Sequence, residues 1–509
     1  MKFKTKHIWF TLVSMGILLF TFPLQPQDND DYKKALPLSP QEKLTAAMHT
    51  ISSHTLLDYV SELCAEKYGG RLTGTPGYNA SAQWTADQLR RWDVRPAGDN
   101  GTYFQDFPNP YTLVRPGGHL VLYIPLKKNT FIEKRYEYET DYVPGATSAN
   151  GEVKAEVVYV GYGITAPELN YDDYKGIDVK GKIVMMEREV PLKPEDDPEA
   201  FKKWRPYSFH QYKVQNAHAH GAAGMLYNYH IVNPNCLYIE NFFIANVGKA
   251  VIEDIFKGTG RDYAEAVEKI KSKRVPQSFN TGKIVSIRTV TEHHPEGIGC
   301  NVLGIIEGSD PELKKEVIML GAHLDHLGYC HEMMPGANDN ASGVAVFLGV
   351  AEAVKKSGLA PKRSIVFIFF GSEEQGVKGS EYYLQHPVVP NERIKGLLNL
   401  DSVGRGVEIQ AQAAQNYPQL WKYIDEANQK YIHQVVKPVL FHNLARQRLD
   451  AAHFMWAGVP TISFNTRGAE PLPYNTYHST MDSPAIITPE IMEDLAQLLF
   501  MAVMELAEY

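Results

Sequence analysis

Four short, predominantly apolar runs in the C-terminal half constrain the fold more than any other feature of this chain. They are Val317–Leu320, Ile365–Phe370, Leu397–Leu400 and Thr461–Phe464. Runs without polar alternation predict strands buried on both faces, and a largely parallel sheet covered by helices is the arrangement that hides both faces. Between the first two runs, Val344, Phe347, Leu348, Ala351 and Val354 share one helical face. Val346 and Val350 lie off that face, which predicts a helix buried nearly all round. Lys355-Lys356-Ser357-Gly358 ends it with cations and a capping glycine. The expected fold class is α/β: a mostly parallel mixed sheet sandwiched by helices.

The rest of the chain has a different texture. Helical spacing is clear from Leu44 to Leu63, and a second helix is expected from about Ala80 to Trp92, after the turn Gly74-Thr75-Pro76-Gly77. From about Tyr111 to Ile287, short strands, glycines and charged loops predominate. At about 100–200 residues per domain, 509 residues allow two to four domains. A content of 44% hydrophobic and 22% charged residues excludes wholesale disorder. A net charge of −8 gives no basic field for a nucleic-acid partner. The four cysteines, Cys64, Cys236, Cys300 and Cys330, are too few for a disulfide-built scaffold. Lys2, Lys4 and Lys6 ahead of the apolar run Ile8–Leu24 predict an export signal over about residues 1–25, with an uncleaved N-terminal anchor as the alternative. A polar, Pro-rich leader follows over 26–40, and no later run is long enough to span a bilayer. The protein is expected outside the cytoplasm, periplasmic or extracellular.

The chemistry-bearing residues follow the buried strands. Gly321-Ala322-His323-Leu324-Asp325-His326 follows the first, Gly371-Ser372-Glu373-Glu374-Gln375-Gly376 the second, and Asp401-Ser402 the third. Asp339 opens the buried helix, and His478 follows the last strand. The C-terminal edge of such a sheet is where ligands bind. Two histidines and three carboxylates at separate element ends, with one glutamate to spare, are an inventory for two divalent ions sharing a carboxylate. In a Glu-Glu pair, one carboxylate can hold metal while its neighbour takes a proton from water. The His323-x-Asp325 spacing suits a carboxylate that orients a ligand imidazole.

Taken together, Gly321–Asp325, Gly336–Gly343, Glu373–Gly376, Asn399–Asp401 and Tyr477–Thr480 resemble the five segments of the M28 family of di-zinc exopeptidases, in the family's order. Gly70-Arg71-Leu72-Thr73-Gly74-Thr75 is similar to the family's N-terminal segment. Gly161-Tyr162-Gly163, Asp172-Asp173-Tyr174, Gly181–Val184 and Gly221–Gly224 resemble a protease-associated (PA) domain, which many members carry as an insertion. The resemblance implies a zinc exopeptidase, phosphorylase/hydrolase-like core in two pieces, 41–110 and 288–509, with a β-rich PA domain inserted over 111–287. It implies two zinc ions: His323 and Asp401 on the first, Glu374 and His478 on the second, and Asp339 bridging. Glu373 would be the general base acting on a bridging hydroxide, and Asp325 would orient His323. A non-proline cis peptide is implied at Asp339-Asn340. The implied activity is removal of N-terminal residues from peptides.

One segment departs from the family pattern. Where a Ser-Asp-His and an earlier Tyr are usual, this chain has Ala445-Arg446-Gln447-Arg448-Leu449-Asp450-Ala451-Ala452-His453-Phe454. Arg446 stands near the Tyr position, and Arg446, Asp450 and Phe454 are the candidate substrate-binding residues. An arginine there could stabilise an oxyanion or hold a substrate carboxylate. The alternatives are therefore a carboxypeptidase or dipeptidase of the same family, a one-zinc glutaminyl cyclase of similar fold, and a catalytically inactive binding module. His326 and His331 read as loop residues, and His210, His218, His220 and His230 as structural. Cys330 reads as a pocket wall or a disulfide partner. Phe441, Phe454 and Trp456 could line an apolar side-chain pocket or simply pack in the core.

Overall fold

The computed structural model describes residues 37–126, 130–441 and 449–509. Contacts divide the chain into Met1–Ser39 and Pro40–Tyr509. The export signal and most of the leader lie outside the described residues, as do Arg446 and Arg448. Among the described residues, every helix and strand lies within Pro40–Tyr509.

The four apolar runs are the four central strands of one mixed sheet. Ser364–Phe370, Val317–His323, Ile394–Leu400 and Thr461–Arg467 lie side by side and parallel. Antiparallel neighbours flank them, Ile298–Ile306 on one side and Glu408–Gln412 on the other. Alternate residues of each strand enter opposite cores. Ile318, Leu320, Ile365, Phe367 and Phe369 pack with helices Ser342–Lys356 and Pro489–Leu506. Val317, Met319, Val366, Ile368 and Phe370 face the other way, onto Tyr383 of helix Lys378–Gln385 and Phe454 of helix Asp450–Trp456. This double burial is the reason the runs carry no polar alternation.

Local signals account for the element ends, with two differences from expectation. The Leu44–Leu63 region is two helices, Pro40–Met48 and Ser53–Leu63. The turn ahead of the next helix is partly inside it: Pro76–Arg91 begins with Pro at its first position, and the Thr75 side chain accepts from the Tyr78 amide at 3.2 Å.

A second sheet holds the β-rich segment. Its long strands Tyr111–Pro125 and Phe279–His294 pair antiparallel, and Gly151–Tyr159, Ile183–Glu187, Gly224–Asn228 and Phe243–Val247 extend it. Two short strands from the C-terminal part, Tyr329–Cys330 and Glu332–Met333, join its far edge. Below them, Val114, Val143, Ala146 and Val232 share a small core with Leu327, Cys330 and Met334. All four cysteines are free, and Cys330 is a buried wall of this core.

Candidate metal centre

Each candidate ligand stands where a strand or helix ends. His323 is the last residue of its strand, and Glu373-Glu374 and Asp401 follow the ends of their neighbours. Asp339 lies in the turn before helix Ser342–Lys356, and its peptide bond to Asn340 is cis. Asn340 fastens this turn to the next strand: its Nδ2 donates to Leu400 O, and its Oδ1 accepts from the amides of Gly343 and Ser402. Asp482, pushed up to about 6 by burial, accepts from the amides of Asn338 and Asp339 at 2.8 and 3.0 Å.

Asp339 is the centre of the cluster. Its Oδ1 is 3.2 Å from His323 Nε2, and its Oδ2 is 3.5 Å from His478 Nε2. Asp401 Oδ1 lies 3.8 Å from His323 Nε2, and Glu374 Oε2 3.1 Å from His478 Nε2. Both imidazoles have their other nitrogen engaged by a carbonyl. His323 Nδ1 donates to Asp325 O at 3.2 Å, and His478 Nδ1 donates to Val232 O at 2.7 Å. A carbonyl only accepts, so each Nδ1 carries a proton and each Nε2 is turned inward. Both Nε2 atoms are buried and make no hydrogen bond.

Electrostatics select for cationic charge here. Burial works against protonating His323, but Asp325, Asp339 and Asp401 outweigh it and hold the imidazole well above its ordinary value. His478 is raised in the same way by Glu374 and Asp339. Burial opposes ionisation of Asp339 as well, yet the two imidazoles take its carboxyl well below the usual range, and Glu374 falls to about 2. Two inward ring nitrogens around a shared carboxylate, with one further carboxylate on each side, fit a pair of divalent cations.

Two groupings within ligand distance contain Asp339: His323, Asp339 and Asp401, and His326, Asp339 and Glu374. His326 is therefore a site residue, although sequence reasoning places it in a loop without a role. It is fully buried, and its Nδ1 donates to Glu374 Oε1 at 2.8 Å. Its proximity in sequence to His323 is the one available signal, but only the fold of residues 324–336 turns it inward. Arg71 controls that fold. Fully buried, it donates to the carbonyls of Leu63, Leu324, Pro335 and Gly336. Gly336 itself has φ 61°, and a Cβ there would meet the His326 ring at 2.5 Å.

Around the cluster, Asp325 is buried, and its carboxylate accepts the amides of Glu373 and Glu374 at 3.1 and 3.2 Å, fixing the Glu-Glu pair. Its carboxylate is 3.7 Å from His323 Nδ1, farther than its own carbonyl. Glu373 borders a cavity of about 430 Å³ that also reaches Asp339 and Asp401. Burial, with Glu374, Asp401 and Asp450 nearby, pushes the Glu373 carboxyl well above its ordinary value, against the pull of His323. Asp450 is buried at the start of its helix and raised to about 7, first by burial. Tyr477 lines the cavity and stacks on His478, with centroids 3.9 Å apart. Tyr477 is half-exposed, and desolvation of its inward side, with Asp339 and Glu374 close by, raises its phenol above the tyrosine range.

Phe454 does not reach the cavity. It is fully buried between Phe370 and Tyr383, 5.9 and 5.8 Å away, because its helix turns that face to the sheet. Trp456 stacks on the Arg205 guanidinium, and His331 on Tyr138. His210 and His220 stack on Tyr229 and Tyr174, respectively. A larger cavity, about 730 Å³, lies in the second sheet's domain beside Glu187 and Tyr263 and touches none of the candidate ligands.

The sequence model of peptidase family M28 matches residues 301–503, and that of the PA domain matches residues 153–239. The aminopeptidase of Pseudomonas aeruginosa (strain UCBPP-PA14) is 25% identical over 354 residues, 68% of this chain and 56% of that protein. Leupeptin-inactivating enzyme 1 of Streptomyces exfoliatus is 34% identical over 143 residues, 28% of this chain and 30% of that protein. The chain thus spans less than two thirds of the length of these curated relatives. Among solved structures, the aminopeptidase from Aneurinibacillus sp. strain AM-1 superposes with a TM-score of 0.61 at 21% identity, covering 90% of this chain and 95% of that one. A zinc aminopeptidase from Bacillus subtilis gives 0.58 at 21% identity, again covering 90% and 95%. The fold is that of these aminopeptidases.

Proposed function

We propose, from the premise that residues 301–503 belong to peptidase family M28, that this protein is a zinc-dependent aminopeptidase. The observation that carries the proposal is the Asp339 carboxylate with one oxygen toward each of two unpartnered imidazole nitrogens. His323 and Asp401 would hold one zinc, Glu374 and His478 the other, and Asp339 both. His326 would brace Glu374 through its Nδ1 proton.

Two zinc ions, when bound, would activate water and polarise the scissile carbonyl. The chain's own residues supply the rest. Glu373 borders the cavity and is not among the ligands, so its carboxylate takes the proton from the attacking water and gives it to the departing amine. Asp325 holds Glu373 in place through its amide. The Tyr477 phenol, protonated beside the site, is a donor for charge developing on the carbonyl oxygen. A free α-amine of the substrate would be read by the acidic site and the second metal, and this favours an exopeptidase that reads the N-terminus.

Peptides with a free N-terminus are the proposed substrates. The basic start and apolar run at residues 2–24 support export, and the change of texture near residues 111 and 287 supports an inserted domain between those points. Among the described residues, no helix is long and apolar enough to cross a membrane. Elemental analysis together with an aminoacyl-anilide panel tests the function. The expected result is close to two zinc ions per chain, hydrolysis of unblocked substrates, and loss of hydrolysis on chelation with recovery on adding zinc. A zinc content near zero, or cleavage only of N-blocked dipeptides, would overturn it.

A further inference from the structure

The cavity that opens on Glu373, Asp339 and Asp401 has an unusual far wall. That wall is the strand Thr461–Arg467 and its antiparallel neighbour Glu408–Gln412. Residues two apart on a strand share a face. Ile462 and Phe464 turn into the main apolar core. Ser463, Asn465 and Arg467 face the other way, and with Gln412, the cross-strand partner of Ser463, they line the cavity. Arg405 borders it as well, with a guanidinium nitrogen donating to Glu470 O. Among the described residues, the only apolar contributions to the lining are Leu449 and the ring of Tyr477.

Several of these polar groups are unspent. Asn465 is 9% exposed, and its Oδ1 makes no hydrogen bond. Which amide atom faces the cavity is a matter of a side-chain flip, so this group can offer either a donor or an acceptor there. Among the described residues, no hydrogen bond or ion pair engages the Arg467 guanidinium. A buried amide without a partner is costly unless something supplies one. The lining carries both signs of charge: Glu373, Asp339 and Asp401 on the one hand, Arg405 and Arg467 on the other.

We infer that this wall is a side-chain specificity site for acidic N-terminal residues, glutamate or aspartate, with Arg467 and Asn465 as the groups that hold the side-chain carboxylate. The inference rests on the aminopeptidase reading and names its substrate class. An N-terminal glutamate matches this lining, its α-amine toward the acidic metal site and its side chain toward Arg467. An aliphatic side chain would leave Asn465 and Gln412 dry and unpaired, which is the circumstance in which a polar site rejects an apolar analogue strongly. A lysine side chain would bring its charge up against two guanidinium groups.

The zinc-loaded full chain is assayed on glutamyl-, aspartyl-, glutaminyl-, leucyl- and lysyl-p-nitroanilides, with N-blocked dipeptides alongside. Binding of L-glutamate and L-leucine is measured by calorimetry. The expected result is kcat/KM for the acidic substrates at least tenfold above leucyl and lysyl, and tighter binding of glutamate than of leucine. In Arg467→Met and Asn465→Leu the glutamyl-to-leucyl ratio should fall by about 10- to 100-fold, the range for loss of a hydrogen bond to a charged group. A wild-type preference for leucyl or lysyl substrates overturns this inference and leaves the aminopeptidase reading standing. Cleavage of N-blocked dipeptides alone overturns both. The wild-type panel decides the matter even if neither variant folds.

Discussion

Glu139→Ala tests whether the second metal position depends on the β-rich domain. Glu139 sits just ahead of strand Tyr142–Pro144, and its carboxylate accepts from the Thr480 amide at 2.8 Å and from the Thr480 hydroxyl at 3.0 and 2.9 Å. Thr480 lies two residues after His478. The substitution removes the acceptor for two donors. Hydrogen bonds to a charged group are each worth about 1.5–3 kcal/mol, so the two set a ceiling of roughly 3–6 kcal/mol on the anchoring of this turn. The contact is only part-buried and water can replace much of it, so a loss of about 1–3 kcal/mol is expected. If that anchoring holds His478 in place, zinc affinity at the Glu374–His478 position falls by about 5- to 150-fold, while the His323–Asp401 position changes little. Titrating the apo-protein with zinc against a chromophoric chelator reads the two affinities, and urea unfolding reports any global loss. Glu139→Gln keeps an acceptor without the charge and should fall between. Two zinc affinities within threefold of wild type in Glu139→Ala would refute the coupling.

Glu373→Gln should retain both zinc ions by elemental analysis and lose about 10²- to 10⁴-fold in kcat, the usual share of a general base; near wild-type turnover would remove Glu373 from that role. Arg71→Met leaves four carbonyls without their donor and should lower the free energy of unfolding by about 3–5 kcal/mol, seen as an earlier urea midpoint. His453 is depressed to about 4 by burial, so the folded protein takes up its proton later than the unfolded chain. The contribution is present above about pH 6.5 and is lost as pH falls toward 4, by up to about 3 kcal/mol. In His453→Gln the acid limb of stability against pH should flatten over that window, and an unchanged limb would contradict the assignment.

The central sheet was legible because each of its strands is sealed on both faces. Burial of that kind writes an unbroken apolar run, as at Ile365–Phe370, that no surface strand carries. The residues just past those runs were legible only as a set: one imidazole or carboxylate after a strand reads as a cap or turn residue, whereas several at one sheet edge read as a site. His326 failed both tests. It follows no run of its own, and it is held inward on a loop whose Leu324, Pro335 and Gly336 carbonyls accept from Arg71. Arg71 was visible only as part of a motif, since a buried guanidinium satisfied by backbone carbonyls has no charged partner in the sequence to announce it. Phe454 misled because a phenylalanine one helical turn after Asp450 suits a core as well as a pocket, and the choice depends on which side of the helix meets Phe370. The polar wall was present as the alternation Ser463-Phe464-Asn465-Thr466-Arg467, masked because Ile462 and Phe464 of the same strand look like core.

The second sheet and its connecting loops support the candidate metal centre. The imidazole of His478 can present Nε2 inward only while something accepts the Nδ1 proton, and that acceptor is Val232 O, 246 residues earlier in the chain. The region of the second sheet also supplies Glu139 to the turn after His478, and Val114, Val143 and Val232 to the core under Leu327, Cys330 and Met334. Those last three residues lie on the loop between His323 and Asp339. Two of the ligand-bearing loops, one after the first central strand and one after the last, therefore lean on one neighbour that holds none of the candidate ligands. Orientation of ligand imidazoles by such outer contacts typically controls 10- to 100-fold in metal affinity. Loss of these contacts would consequently reach the proposed Glu374–His478 position before the proposed His323–Asp401 position, whose imidazole takes its orientation from Asp325 O within its own loop.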